Sequence, residues 1–349
     1  MGPDAFDLRT IPHTDPVDIY RVRDGIYAPD MLLTAIVHLD LFSRLAERPA
    51  TKGEICGALG TTDRPTDVML TLFAAMGLVE QRQGTFHLTT KAREHLVKTS
   101  PWFLGPYYES LKKRPVALDL LNVLRTGKPA NWGSQKDEKD WHKAMETEAF
   151  AAQFTAAMDS RGVYLAQAVA KAIDFSPRGR VLDIAGGSGV YACSLVAHHP
   201  HLSATVFEKP PVDRIAARAL ANRGCSGKVR VSAGDMLVDA LPSDADVHLW
   251  SNVLHDWDEP VVRQLIAKSF AALPPGGLIV IHDAFLNAEK DGPLHVAEYS
   301  VLLMHSSEGR CYSTREMEQY LTDAGFRDAA CRSTAAARGI MTAVKGADV

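Results

Sequence analysis

The sequence predicts an α/β chain. Its C-terminal half reads as a doubly wound domain with a seven-stranded, mostly parallel sheet, and its N-terminal part as an α-rich domain closed by a small hairpin. Three observations predict this. Beyond residue 180, seven β-prone segments alternate with helical stretches, the pattern of an open sheet covered on both faces. Ahead of them, apolar residues recur at helical spacing between capping signals. At Leu78–Leu88 two short runs flank a Gln83-Gly84 turn signal. The expected domains are residues 1–100, helical; 101–175, a helical linker contributing to a ligand pocket; and 176–349, the sheet domain.

Taken in order, Asp15-Pro16 is a helix start, with proline in the first turn. Ala28-Pro29-Asp30 is a second, followed by Met31, Leu32, Ala35, Ile36 and Leu39 near helical spacing. Thr51-Lys52-Gly53-Glu54 has capping-box spacing and opens a short helix through Leu59. A helix from Pro65 to Met76 ends at Gly77, where a C-cap glycine belongs. Three helices and a hairpin in this order make a winged-helix-like unit. Ser100–Trp141 reads as loops and short helices, and about Asp140–Ile173 as a long helix. The predicted strands are Arg180–Ile184, Ser203–Glu208, Val229–Ala233, Val247–Ser251, Gly277–Asp283, Ala329–Thr334 and Gly339–Val344.

Composition narrows the classes. The 349 residues are 46% hydrophobic and 23% charged, with net charge -4, so no global attraction to nucleic acid or anionic membrane is expected. Five cysteines are scattered without a C-x-x-C pair, which suggests neither a disulfide framework nor a zinc site; no metal is expected. Met1–His13 lacks the apolar core of a secretory signal, and no apolar run is long enough for a membrane span. A cytoplasmic location is expected.

The most informative stretch is Val181-Leu182-Asp183-Ile184-Ala185-Gly186-Gly187-Ser188-Gly189. A strand runs directly into a glycine-rich turn that opens a helix, so the backbone can approach a ligand and present amides to it. Such a turn alone fits a nicotinamide site or a plain tight turn. The spacing is Gly-Gly-x-Gly rather than Gly-x-Gly-x-x-Gly, and Asp183 is suited to orient an ammonium group, which NAD lacks and S-adenosylmethionine (SAM) carries. Glu208 ends the second strand, where an acid accepts both ribose hydroxyls. Gly234-Asp235-Met236 ends the third: a carboxylate for an adenine amino group and a thioether for the ring. Asp183, Gly186, Gly187, Gly189, Glu208, Asp235, Met236 and Ser251 form the expected cofactor set, with S-adenosylhomocysteine (SAH) as product. Taken singly, Asp183 equally suits a helix cap, Glu208 a surface ion pair and Met236 the core.

After the fourth strand comes Ser251-Asn252-Val253-Leu254-His255-Asp256-Trp257-Asp258. With Leu-His-Asp-Trp and Gly-Gly-x-Gly together, the chain resembles the SAM-dependent O-methyltransferases of the plant caffeate, hydroxyindole and bacterial natural-product type over nearly its whole length. The resemblance implies that His255 is a general base that takes the proton of an acceptor hydroxyl. A phenol, with a pKa near 10, needs such help at neutral pH. It also implies two acids flanking the histidine. The first falls on Asp283; the second falls on Cys311, a departure that leaves Asp283 alone, Glu308, or an acceptor needing little base assistance.

The resemblance further implies an acceptor pocket of aromatic and methionine side chains. Phe154, Met158, Trp257, Met304 and His305 fall near its positions, with Phe103, Tyr107 and Tyr108 at the entrance; each serves equally as core. Arg64–Met76 carries one basic residue in an apolar body, unlike a DNA-reading helix, and the resemblance implies a homodimer instead. The expected function is methyl transfer to a hydroxyl of an aromatic or polyketide-like small molecule. The alternatives are a C-methyltransferase, a SAM-binding relative without methyl transfer, and a SAM-sensing regulator.

Overall fold

The computed structural model of the chain describes residues 7–130 and 141–346; Asp140, expected to begin the long helix, and Met1–Phe6 lie outside these. The chain divides into two compact units. One joins Met1–Val17, Asp140–Ala284 and Thr314–Val349; the other joins Asp18–Lys139 and Phe285–Ser313.

The helical unit contains α1 (Val17–Asp24), α2 (Ala28–Leu33), α3 (Leu41–Glu47), β1 (Ala50–Thr51), α4 (Lys52–Leu59), α5 (Asp63–Ala75), β2 (Val79–Arg82), β3 (Thr85–Leu88), α6 (Thr90–His95), α7 (Gly105–Glu109) and α8 (Pro115–Thr126). Its local signals act as expected. The Val17 amide donates to Asp15 Oδ1 at 2.9 Å. The Glu54 amide donates to Thr51 Oγ1 at 3.3 Å while the Thr51 amide donates to Glu54 Oε2 at 2.8 Å, which completes the capping box. Gln83 and Gly84 both have positive φ, 48° and 83°, so the hairpin turns tightly with the twist its strands require. The two-residue β1, which pairs with β3, was not expected; it is too short to show a period.

The other unit contains α9 (Trp141–Ala144), α10 (Glu148–Ala172), β4 (Arg180–Ile184), α11 (Val190–His198), β5 (Ser203–Glu208), α12 (Val212–Asn222), β6 (Val229–Ala233), β7 (Val247–Ser251), α13 (Glu259–Ala272) and β8 (Leu278–Asp283). After β8 the chain joins the helical unit as α14 (Leu294–Ser306), then returns as α15 (Thr314–Asp323), β9 (Phe326–Ser333) and β10 (Gly339–Lys345). The expected long helix is broken before α10, where Thr147 is extended at φ -86° and ψ 130°.

The sheet has seven strands in the order β6-β5-β4-β7-β8-β10-β9. The first five are parallel, and β10 is antiparallel to both neighbours. Every residue of β8 is buried, as parallel strands covered on both faces require. The order reverses between β4 and β7. At such a switch point the loops leave in opposite directions and open a crevice beyond the carboxyl ends of the strands.

Among the described residues no single helix is long and apolar enough to cross a membrane. A bent pair, Val17–His38 with Leu41–Glu47, has the length and composition. Its Met31, Leu33, Ile36, Leu41 and Phe42 are buried within the protein.

Candidate active site

The carboxyl ends of β4, β5, β7 and β8 carry most of the residues singled out above. Beyond β4 the turn passes through left-handed conformations at Ala185, Gly187 and Gly189, with φ 52°, 57° and 75°. A Cβ on Gly186 would lie 2.6 Å from the Asp183 carboxyl carbon, so only glycine lets the turn fold over that side chain. Asp183 is fully buried. Its Oδ2 accepts from the Ala192 amide at 3.2 Å, and its Oδ1 has no hydrogen-bond partner among the described residues. Glu208 reaches the turn from β5: its Oε2 accepts from the Gly187 amide at 3.1 Å and its Oε1 from the Lys209 amide at 2.9 Å.

Burial pushes both carboxyl groups up to about 7. For Asp183 the Ala192 amide opposes that rise and the nearby Glu208 adds to it; for Glu208 the Lys209 and Gly187 amides oppose it. Two desolvated acids at one turn, one with an orphaned oxygen, form a donor set that fits a cationic ligand bearing hydroxyls. SAM has both features. Asp235 and Met236 lie half-buried after β6. Asp235 Oδ1 accepts from the Leu237 amide at 2.8 Å, and the Met236 carbonyl accepts from Lys268 Nζ at 2.5 Å.

Beyond β7 the backbone turns sharply. Asn252 has φ 54°, and two contacts hold it there. Its amide donates to the His282 carbonyl at 2.8 Å, and its Nδ2 donates to the buried Tyr191 hydroxyl at 3.0 Å. Ser251 Oγ lies 2.9 Å from His282 Nδ1; burial pushes that imidazole down to about 3, so it is neutral. The next turn, Leu254–Asp256, is a single 3-10 turn carrying His255.

His255 and Asp283 are each 3% exposed. His255 Nδ1 stands 2.5 Å from Asp283 Oδ1, which also accepts from the Ala284 amide at 2.7 Å. The Asp256 carboxylate lies 4.0 Å from His255 Nε2. Burial alone would lower the imidazole, but the Asp283 and Asp256 charges outweigh it and the group is raised above its usual value. Burial would likewise raise Asp283, and His255 reverses that to leave it lowered. An ionised carboxylate only accepts hydrogen bonds, so the proton of this contact is carried by Nδ1.

Of the expected pocket residues, Phe154, Met158 and Trp257 belong to the sheet unit and Met304 and His305 to the helical unit. Phe154 packs beside Phe150 against Met145, Ala151 and Val212. Trp257, Met304 and His305 are buried. Neither ring nitrogen of His305 has a hydrogen-bond partner among the described residues, and Tyr27 lies against its ring at 4.3 Å. Cys311 is buried, with its amide donating to Ser300 Oγ at 3.0 Å, and Glu308 is exposed. Among the described residues no group of three or more His, Cys, Asp and Glu is placed to hold a metal ion. Sequence reasoning missed Tyr191, Asn252 and His282. Only the Leu-His-Asp-Trp motif beside Asn252 hinted at a special turn.

The profile of the O-methyltransferase domain matches residues 119–327. The chain is 32% identical over 317 residues to 3-hydroxy-5-methyl-1-naphthoate 3-O-methyltransferase of Streptomyces sahachiroi, covering 90% of this chain and 91% of that one. It is also 32% identical to the tetracenomycin polyketide synthesis 8-O-methyl transferase TcmO of Streptomyces glaucescens, over 91% of this chain and 94% of that protein. L-tyrosine C(3)-methyltransferase of Streptomyces lavendulae is 30% identical over 84% of this chain and 82% of its own. The fold matches an O-methyltransferase family 2 protein from Planctomyces limnophilus in complex with apigenin, with TM-score 0.87 and 32% identity over 98% of this chain and 99% of that chain. With a matched domain over more than half its length and relatives above 30% identity across most of it, the chain belongs to the SAM-dependent O-methyltransferase family.

Proposed function

We propose that this enzyme methylates a hydroxyl of an aromatic or polyketide-like small molecule, with His255 as general base. The observation that carries the reading is the buried 2.5 Å contact between His255 Nδ1 and Asp283 Oδ1, at the same sheet edge as the glycine-rich turn. When bound, SAM supplies an electrophilic methyl group on a sulfonium. Asp183 would hold its ammonium group, Glu208 its ribose hydroxyls, and Gly186, Gly187, Gly189, Asp235, Met236 and Ser251 would complete the donor site. His255 Nε2 would accept the proton of the acceptor hydroxyl. Asp283 fixes the tautomer and stabilises the imidazolium that forms. A positioned base contributes about 10²–10⁴-fold, and in-line placement of the acceptor adds to it.

The acceptor is a flat ring system, for which Phe154, Met158 and Trp257 of the sheet unit are the binding residues. The acceptor named for one relative, a hydroxynaphthoate, is of this type, and a second relative is named for tetracenomycin polyketide synthesis. Methylation at carbon is the second reading, because a relative at 30% identity methylates carbon 3 of tyrosine. Incubation with SAM and a panel of hydroxylated naphthoates and flavones, followed by mass analysis and NMR of the product, tests both. A new methyl ether supports the first reading, a ring-bound methyl the second, and no SAM-dependent product on any acceptor overturns both.

The enzyme acts as a homodimer, with residues 1–100 as the dimerisation domain, 101–175 contributing to the acceptor pocket and 176–349 carrying catalysis. The support is apolar surface in the helical unit: Ile19 and Val22, three residues apart on α1, and Ile26, Trp102, Tyr107 and Leu111 are all exposed. Such surface on a soluble protein marks an interaction site. Cys56, Cys193, Cys225, Cys311 and Cys331 are all free thiols, which fits a cytoplasmic enzyme.

A further inference from the structure

The glycine-rich turn has an anchor outside the expected cofactor set. Ser188 Oγ donates a short hydrogen bond to Asp159 Oδ1 on α10. Arg223, at the C-terminal end of α12, donates through Nη2 to both oxygens of the same carboxylate at 2.6 Å. The Arg223 and Asp159 side chains are only 20% and 23% exposed, so their attraction is weakly screened.

Both helices pack closely around the turn and the start of α11. A Cβ on Gly162, three residues along α10 from Asp159, would stand 2.6 Å from Val190 Cγ1 at the start of α11. A Cβ on Gly189 would stand 2.9 Å from Leu220 Cδ2 on α12. Three positive-φ residues lie in this one turn, among them the non-glycine Ala185. A backbone of that kind persists only where its surroundings over-determine it.

We propose that Asp159 is a positioning residue for the methyl donor: it holds the turn in its receiving shape through Ser188, while Arg223 locks its carboxylate. The inference rests on the donor site proposed above. Asp159 touches no group assigned to the chemistry, so its loss weakens donor binding and spares transfer from the bound donor. Helical spacing places Thr155, Asp159 and Gly162 on one stripe of α10, beside the stripe that carries Phe154 and Met158. One helix thus positions the donor loop and contributes to the acceptor side.

The test is titration of the full-length protein with SAH, as wild type, Ser188→Ala, Asp159→Asn and the double variant, with thermal midpoints recorded for each. Wild-type binding with about a tenfold weaker Kd in each single variant is expected, the scale of losing a hydrogen bond to a charged group. The double variant is expected to be no weaker than the weaker single, since Ser188→Ala deletes the contact that Asp159→Asn weakens by removing its charge. At saturating SAM, kcat stays within about twofold while the KM for SAM rises. Unchanged SAH affinity in Ser188→Ala, or additive losses in the double variant, overturns the proposal. So does a kcat loss matching the affinity loss. Ser188→Ala leaves the Asp159–Arg223 pair intact and keeps the test readable if Asp159→Asn fails to fold. Failure of the wild type to bind SAH is a different result and overturns the donor site itself.

Discussion

His255 Nδ1 and Asp283 Oδ1 stand 2.5 Å apart, and each residue is 3% exposed. The histidine sits on a one-turn 3-10 segment after β7 and the aspartate is the last residue of β8, so pairing of adjacent parallel strands brings together groups 28 positions apart in the chain. His255→Ala is expected to lower kcat by about 10²–10⁴-fold while SAM affinity by titration stays near wild type. Full activity in this variant would reject the base assignment.

The same pair sets the pH dependence. The imidazole is raised above its usual value, and the base works only when neutral. Activity is therefore expected to rise with pH through a midpoint above about 6.5, the unperturbed histidine value. Asp283→Asn removes the charge that holds the proton on the ring, so the midpoint moves to lower pH while kcat falls. A kcat profile for both proteins checks this; an unmoved midpoint would show that Asp283 does not govern the imidazole.

If Glu208 binds the donor as proposed, the same carboxyl bears on stability. Its carboxyl is held up to about 7 by burial, against about 4.3 in an unfolded chain. An acid raised on folding keeps its proton longer in the folded state, so its contribution to stability falls as pH rises from about 4.3 to about 7. Glu208→Gln removes that loss. The cofactor-free variant is expected to be more stable than wild type at pH 8 by about 1–3 kcal/mol, with little difference at pH 4. SAM binding is expected to weaken by about 1.5–3 kcal/mol, because the ribose hydroxyls lose a charged acceptor. Thermal melts at the two pH values and a SAM titration measure both effects. A variant that binds SAM like wild type would remove Glu208 from the site.

The exposed apolar face of α1 predicts the assembly. Ile19 is 74% exposed and Val22 80%. Light scattering at micromolar concentration is expected to give a dimer, and Ile19→Asp with Val22→Asp to give a folded monomer. An active wild-type monomer would contradict the dimer.

Two glycines separate crowding from conformational freedom. Gly162→Ala places a Cβ 2.6 Å from Val190 Cγ1, and overpacking of this kind costs about 1–3 kcal/mol. A Cβ added to Gly57, inside α4, would meet nothing within 4 Å, so Gly57→Ala is expected to stabilise by about 0.5–1 kcal/mol. Melting midpoints that moved in the same direction for both would contradict the packing described for α10 and α11.

The sequence by itself determined what is written in local chemistry. Alternating strand and helix signals gave the parallel part of the sheet, because covered parallel strands read as short, largely apolar runs between helices. The Thr51–Glu54 box and the Gln83-Gly84 turn were legible because capping and tight turns are settled within four residues. Asp183, Glu208 and His255 were legible because each stands at a strand end beside a glycine-rich or motif-bearing loop.

Tertiary structure decided what depends on distant neighbours. The passage of residues 285–313 into the helical unit and back leaves no local signal, since α14 is apolar on several sides whichever unit it packs in. The Asp159–Ser188–Arg223 contact joins residues 29 and 64 positions apart, each of which looks like an ordinary surface residue when read alone. The raised pKa values of Asp183 and Glu208 follow from burial, a property of the packed sheet edge and not of the residue type. A side chain's identity is local, but its solvation and its partners are set only when the strands and helices close around it.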